Sequence, residues 1–383
     1  MARASAFRPA ELTLLDKLRQ LAWPFVGLVL LVGLVGYGVL YSAAGGSPEP
    51  WASRHLVRLA LGVTLLLAIA MIDVRFWFRW AYAIYGVALV GLIAVDVAGS
   101  TNMGAQRWLE VGSFQLQPSE VMKIGLVLAL ARYFHSAHLE QVAQPLYLVV
   151  PLVLIVLPAL LVLKQPDLGT AIMLLAAGTM VLFAVGVRWW KFALVIGGTL
   201  LALPVLWQQL HDYQKRRVLT FLDPERDPLG AGYHIIQSKI ALGSGGLWGK
   251  GFLQGTQSQL QFLPEKHTDF VFTMLAEEAG LLGGLGLLLL FVLLLGYGFV
   301  FMLRSRSHFG RLLTLGISGT MFLYVFINIA MVTGLIPVVG VPLPLVSYGG
   351  TAMMTILTGF GLMLSSDVHR EVTIPRFQFG DQD

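Results

Sequence analysis

The chain has no cysteine among its 383 residues, which excludes disulfides, thiol catalysis and cysteine-based metal sites. Charge is scarce as well. Asp, Glu, Lys and Arg make up 12% of the residues, against 56% hydrophobic. A soluble domain of this length needs a charged surface, so that class is excluded. No repeat of fixed period and no low-complexity tract is visible. No HExxH occurs, and the eight histidines lack metal-ligand spacing. The first apolar span begins near Leu21 without a small-residue cleavage site, so no cleavable signal is expected.

Long apolar stretches take the place of the missing charge. Mean hydropathy is +0.75, and runs near the roughly 20 residues that span a bilayer core recur along the chain. The pattern predicts an all-α polytopic membrane protein of ten helices. They fall at about 22–43, 56–72, 80–98, 118–134, 145–163, 168–187, 190–208, 270–302, 312–336 and 346–366. The fourth is the weakest, because Glu120 and Lys123 sit near its start. Placing the N-terminus in the cytoplasm puts Arg75, Arg79, Arg132, Arg188, Lys191, Arg304, Arg306 and Arg311 on that side. The short outer loops and helix ends then hold Arg54, Arg58, Arg107, Lys123 and Lys164. Both termini are expected in the cytoplasm, as tails 1–20 and 367–383 of one membrane domain. The net charge of +5 follows from this topology, with no need for a nucleic-acid partner.

Between the seventh and eighth spans lies the one long hydrophilic stretch, 209–268, expected on the outer membrane surface. Within it "YHIIQSKIALGSGG" reads as a short amphipathic helix ending at glycines. "GSGGLWGKG" (243–251) resembles a phosphate loop only superficially. A P-loop needs Gly five residues before the Gly-Lys and Ser or Thr after it, and here Ser244 and Gly251 stand there. "PVVGVPLPLVSYGGTA" (337–352) is apolar yet too rich in Pro and Gly for continuous helix. It is either an interfacial turn or broken backbone that packs in protein or lines a cavity.

Three short motifs carry ionisable residues on the outer side. In "QPSEVMK" (117–123), Glu120 and Lys123 are three apart and share a helix face. They form a structural ion pair or a charged cavity lining, and Arg107 lies just upstream. In "KQPDLGTA" (164–171), Asp167 falls at a helix start, where an acid is favoured with or without a further role. "LPEKHTDF" (263–270) places Glu265, Lys266, His267 and Asp269 against the longest apolar run. Thr268 is expected to cap the helix that follows, with Asp269 in its first turn as a cap or a general base. Glu277 and Glu278 enter the same span and point to a polar cavity or partner. With Lys239, these residues make a set of opposed charges on one membrane face. Cations there can hold a pyrophosphate, and a lone Asp can deprotonate a hydroxyl.

At these residues the chain resembles the SEDS family (shape, elongation, division and sporulation). The resemblance rests on "GAQRWLEVGSFQLQPSE", "KQPDLGTA", "GYHIIQSKIALGSGGLWGKGFLQGTQSQLQFLPEKHTDF" and "MVTGLIPVVGVPLPLVSYGGTAMM". It runs from about Arg107 to Arg370, and the stretch before Asp269 is similar to elongation-type rather than division-type members. Lys266 departs from the residue many relatives carry. The resemblance implies a ten-helix peptidoglycan glycosyltransferase that polymerises lipid II and releases undecaprenyl pyrophosphate. It implies Asp269 as the essential acid. Its motifs carry a substrate-site role over to Glu120, Lys123 and Asp167. Arg107, Lys239, Lys266, His267 and Ser347, singled out beside them, complete the substrate-binding candidates, and no protein metal site is expected. A divalent cation such as Mg2+ is the one cofactor the chemistry admits. The implied partners are a class B penicillin-binding protein, other elongation-complex proteins, undecaprenyl-linked glycan and the lipid bilayer. The implied place is the cytoplasmic (inner) membrane, with the active site on its extracytoplasmic side. Two rival readings are a flippase for the lipid-linked precursor and a scaffold that activates a penicillin-binding protein.

Overall fold

The computed structural model describes residues 13–102, 105–111, 114–209, 215, 219–223, 231–259 and 266–375. The chain enters through a short helix, α1 (Leu14–Gln20), closed by a capping box between Thr13 and Asp16. Lys17 donates to the Met71 carbonyl at 2.8 Å, placing a cation at a helix C-terminus where the dipole favours it. Long helices follow: α2 (Trp23–Ala43), α3 (Ala52–Met71) and α4 (Val74–Ala98). A three-stranded antiparallel sheet comes next, built from β1 (Ser100–Asn102), β2 (Ala105–Val111) and β3 (Phe114–Leu116). Then come α5 (Pro118–Phe134), α6 (Leu139–Ala143), α7 (Val149–Lys164), α8 (Leu168–Val185) and α9 (Trp189–Gln209). The described part of the long loop carries α10 (Ala231–Ser244) and α11 (Thr256–Gln259). The last three are α12 (Val271–Arg304), α13 (His308–Val332) and α14 (Gly350–Val368).

Among the described residues, eight helices are long and apolar enough to cross a membrane. The fold is an all-α membrane bundle, and every span expected from the sequence coincides with a helix. Two of those helices differ from the eight. In α9 the apolar stretch among the described residues is Trp189–Ala202, and α5 is just 17 residues long. The reason α5 escapes a hydropathy reading is its position. Fourteen of its 17 residues are buried, because α4, α7, α8, α13 and α14 all pack on it. Neighbouring protein shields it from lipid, so it can carry a Glu and a Lys. Gly125 permits the close approach of α4: a Cβ there would lie 3.1 Å from Tyr85 Cα.

The sheet at 100–116 replaces what the sequence presents as an outer loop. Its strands are short; Gln106-Arg107 and Trp108-Leu109 break the alternation in β2, and β3 ("FQL") alternates over three residues only, too few to mark a strand. The helix expected at "YHIIQSKIALGSGG" is α10, two residues earlier at each end.

The eighth span departs most from expectation. The sequence predicts one helix over 270–302 with Thr268 as its cap. In the structure the helix begins at Val271, Phe270 is the N-cap residue, and Asp269 lies in the preceding turn. The helix is also interrupted at Gly280, where φ is 67° and ψ is −167°. Such a break frees two backbone bonds, from the amides of 281 and 282 to the carbonyls of 277 and 278. The "GSGGLWGKG" loop fills both. Leu281 N donates to Gly246 O at 2.9 Å and Leu282 N to Leu247 O at 3.2 Å. Lys250 N donates to Glu277 O and Gly251 N to Glu278 O, each at 3.0 Å. Glu277 seals the joint. Its Oε1 accepts from Lys250 Nζ at 2.7 Å and from Gln257 N at 2.9 Å. Glu278 accepts from Ser42. These two acids therefore serve the joint.

Gly249 sits in that loop at φ 81°. A Cβ there would overlap the Glu278 carbonyl. Gly249→Ala is expected to cost about 2–4 kcal/mol, from the positive φ and the lost joint bonds. The measurement is the thermal unfolding midpoint in detergent, together with faster proteolysis of the 245–257 loop.

Candidate active site

Glu120 and Lys123 sit in the first turns of α5, after Pro118 at the helix start. Lys123 Nζ is 2.6 Å from Glu120 Oε1 and also donates to the Tyr324 hydroxyl. Tyr324 in turn donates to Glu120 Oε2 at 2.5 Å. The ammonium also lies 4.4 Å from the centre of the Tyr324 ring. Lys123 is only 1% exposed. A buried ion pair is tolerable only when its spare oxygens and protons are satisfied, and the tyrosine from α13 satisfies them here.

A second pair faces it from the next elements. Asp167 is the N-cap residue of α8 and accepts from Thr170 N at 3.2 Å and Thr170 Oγ1 at 3.0 Å. Arg107 reaches down from β2. Its Nε is 3.6 Å from Asp167 Oδ2, and its Nη2 donates to Pro166 O at 2.7 Å. The sheet thus exists to bring an arginine over the start of α8.

The Asp269 turn, 266–270, is held by its carbonyls. His267 O accepts from Tyr348 N at 2.8 Å, Thr268 O from Ser347 Oγ at 2.5 Å, and Asp269 O from Asn328 Nδ2 at 2.9 Å. Three successive carbonyls committed to other parts of the chain cannot enter a helix. This explains why the N-cap of α12 lies two residues later than the sequence suggests, at Phe270 rather than Thr268. The Asp269 carboxylate packs beside Gly340, 3.5 Å from where a Cβ would stand. The His267 ring stacks on Trp51, with centroids 4.5 Å apart and planes within 10°.

The Pro/Gly-rich link between α13 and α14 forms the opposite wall. Among its residues, Val341, Leu343, Leu345, Val346 and Ser347 are buried. Gly36 of α2 and Gly169 of α8 admit its backbone, since Cβ atoms there would lie 2.7 Å and 2.6 Å from its carbonyls. The broken backbone packs within protein and lines a cavity, as irregular chain inside a membrane bundle must.

These parts enclose one cavity of about 1210 Å³. Five of the residues singled out in the sequence line it: Arg107, Glu120, Lys123, Asp167 and Asp269. Four stand outside the lining. Ser347 and His267 support the Asp269 turn from behind. Lys266 is buried in that turn, and burial pulls its ammonium below the usual lysine range. Lys239 is exposed, with its side chain over Gly334 beyond the end of α13. Glu265 lies outside the described residues. Several lining residues carry no motif in the sequence. Arg58 packs its guanidinium 4.6 Å from the Tyr348 ring centre. Tyr324 completes the buried pair. Trp108 lines the cavity beside Arg107. Below the charged end the lining turns mostly apolar, through Leu61, Ile84, Leu128 and Leu362 down to Trp77, with Thr355 and Thr358 of α14 among them.

A cavity with acids and cations at one end and an apolar limb below suits a polar headgroup on a lipid. Comparison with known proteins agrees with this geometry. The family profile described as "Cell cycle protein" (FTSW_RODA_SPOVE) matches residues 15–372. The chain belongs to this family. Peptidoglycan glycosyltransferase MrdB of Escherichia coli (strain K12) is 46% identical over 352 residues, covering 91% of this chain and 94% of that one. The probable peptidoglycan glycosyltransferase FtsW of Aliivibrio salmonicida is 34% identical over 369 residues, covering 94% and 91%. Among solved structures, a peptidoglycan synthase complex that coordinates polymerization and crosslinking matches with TM-score 0.80 and 34% identity. That match covers 91% of this chain and 98% of the other. Thermus thermophilus rod shape determining protein RodA matches with TM-score 0.68 and 31% identity, over 91% and 97%.

In this FtsW/RodA-type chain the Glu120–Lys123–Tyr324 group is buried deeply enough to govern stability. Glu120→Ala is expected to lower it by about 3–5 kcal/mol, because an ammonium is left buried beside one hydroxyl. Removing both charges, as Glu120→Leu with Lys123→Met, is expected to recover part of that loss. Thermal unfolding of the three purified variants in detergent reads the difference. An additive loss in the double variant would contradict the pairing.

Proposed function

We propose that this protein polymerises lipid II into the glycan strands of peptidoglycan, with Asp269 as general base. The observation that carries the reading is the convergence of Asp269, Arg107 and the Glu120–Lys123 pair on one cavity with an apolar lower limb. The named activity of the 46% identical relative supports the same reaction. The elongation role is supported by the likeness to MrdB and to the rod shape determining protein.

The chemistry follows from charge. The donor sugar is α-linked to pyrophosphate and the product is β-1,4-linked, so one inverting displacement suffices. Asp269 accepts the proton of the acceptor's 4-hydroxyl as its oxygen attacks the anomeric carbon. The C–O bond to pyrophosphate breaks, and the leaving group departs with the electron pair. It needs neutralisation rather than protonation. Arg107 and Arg58, both in the cavity wall, are placed to supply it. Lys123 is engaged with Glu120 and Tyr324, so its part is to hold the wall in shape. A divalent cation is an alternative neutralising charge. The reaction is placed on the extracytoplasmic side of the cytoplasmic membrane, following the expected ten-span, N-in topology. The cross-linking partner is a class B penicillin-binding protein, a reading supported by the likeness to the synthase complex.

One feature favours a second reading. The cavity runs from Asp269 to Trp77, in the first turn of α4 near the opposite end of the bundle. A passage of that depth suits a flippase for the same lipid. Purified protein in detergent, without compartments, separates the two when given lipid II. Glycan polymer is expected for the wild type. Asp269→Ala is expected to lose roughly 100- to 10,000-fold in rate, the usual contribution of a positioned base. Polymer made at the wild-type rate by Asp269→Ala would overturn the assignment. Translocation in vesicles without polymer in detergent would favour the flippase. Arms with and without added Mg2+ and chelator test the cation.

A further inference from the structure

Asn328 is fully buried at 0% exposure, one turn before the C-terminal end of α13. Its amide nitrogen donates twice, to Asp269 O at 2.9 Å and to Val341 O at 2.7 Å. Both partners are carbonyls, so chemistry alone fixes which way the amide faces: only Nδ2 can donate. Its Oδ1 is buried and has no hydrogen-bond partner among the described residues. An orphaned amide oxygen works against stability, so good packing does not account for the asparagine by itself. Its two donated bonds do. They join the backbone that carries Asp269 to the backbone at Gly340–Val341, against which the Asp269 carboxylate packs.

We propose that Asn328 is a positioning residue for Asp269, setting the carboxylate's place through the backbone on both sides of it. The inference rests on the reading of Asp269 as the general base. Tyr324 lies four residues earlier, hence one turn away on the same face of α13. It holds Glu120 and Lys123. One helix therefore fixes both the base and the charged pair, at a separation set by its own rise of about 6 Å over four residues. The two neighbouring carbonyls of the turn accept from the Pro/Gly-rich link, at Ser347 and Tyr348. Asn328 ties the turn to a long, buried helix.

A displaced base loses rate more than binding, because the groups that hold the substrate stay in place. Misplacement by about 1 Å can cost on the order of 100-fold. The experiment is lipid II polymerisation by full-length protein in detergent, with kcat and KM measured separately. Asn328→Leu, similar in volume but without donors, is expected to lower kcat roughly 10- to 100-fold with KM within about threefold. Asn328→Asp keeps the shape and loses at least one of the two bonds, so a smaller fall in kcat with unchanged KM is expected. It carries the test if Asn328→Leu does not yield monodisperse protein. Thr320→Ala, which removes a hydroxyl bonded only to its own helix at Gly316 O, is expected to leave both constants unchanged. Wild-type kcat in either Asn328 variant overturns the proposal. So does a fall in kcat matched by a rise in KM and a lower unfolding midpoint, which is what a purely structural residue gives. Asp269→Ala is run alongside. If it stays active, the reading of Asp269 fails. If it is inactive while Asn328→Leu is fully active, only the positioning role fails.

Discussion

Inside an apolar bundle every backbone N–H and C=O must find a partner, because neither lipid nor apolar side chains supply one. Helices meet this requirement locally, and wherever this chain leaves the helix it meets it at a distance. The turn at 266–270 hands three carbonyls to Tyr348, Ser347 and Asn328. The break at Gly280 hands two amides and two carbonyls to the 246–251 loop. The Pro/Gly-rich link gives Val341 O to Asn328 and its Leu343 amide to Ser347 Oγ at 2.8 Å. These exchanges are few and specific. Together they draw chain segments from residues 246 to 348 into one rigid arrangement around the cavity.

The same constraint decides where charge can live. α5 is enclosed by five other helices and so bears Glu120 and Lys123 without meeting lipid. α8 can begin on Asp167 because Arg107 descends from the sheet to meet it. Ionisable groups elsewhere in the bundle follow the rule too, as when buried Glu277 takes Lys250 and a backbone amide as partners. The cavity's charged end is thus assembled from helix starts, each satisfied by a neighbour from a distant part of the sequence.

Hydropathy runs marked the eight helices long and apolar enough to cross a membrane, since length and apolarity are local properties. The acids and cations of "QPSEVMK", "KQPDLGTA" and "LPEKHTDF" were legible as candidates because charge beside an apolar wall is costly and visible. Their convergence was not, since it depends on α13 and the link passing between them. Arg58 read only as a topology charge. Tyr324 and Asn328 left a faint trace, two polar side chains four apart in an apolar span, a spacing that puts them on one helix face. The sheet was hidden because two of its strands are three residues long. Ser347 was singled out, yet the structure shows it behind the wall, bonded to Thr268 O. The Gly280 break was invisible because its compensation lies about 30 residues upstream, in glycines that by themselves suggest only turns.

That break also divides α12 into two pieces of unequal length. From Leu281 to Arg304 the helix runs about 36 Å. This rod alone crosses a hydrocarbon core of roughly 30 Å. Leu247 and Trp248, the latter 80% exposed, stand beside the start of this rod. Residues 271–279 form a separate short helix between the break and the turn that carries Asp269. The length able to span and the stretch that presents the carboxylate to the cavity are therefore two different pieces, bridged by the glycine loop.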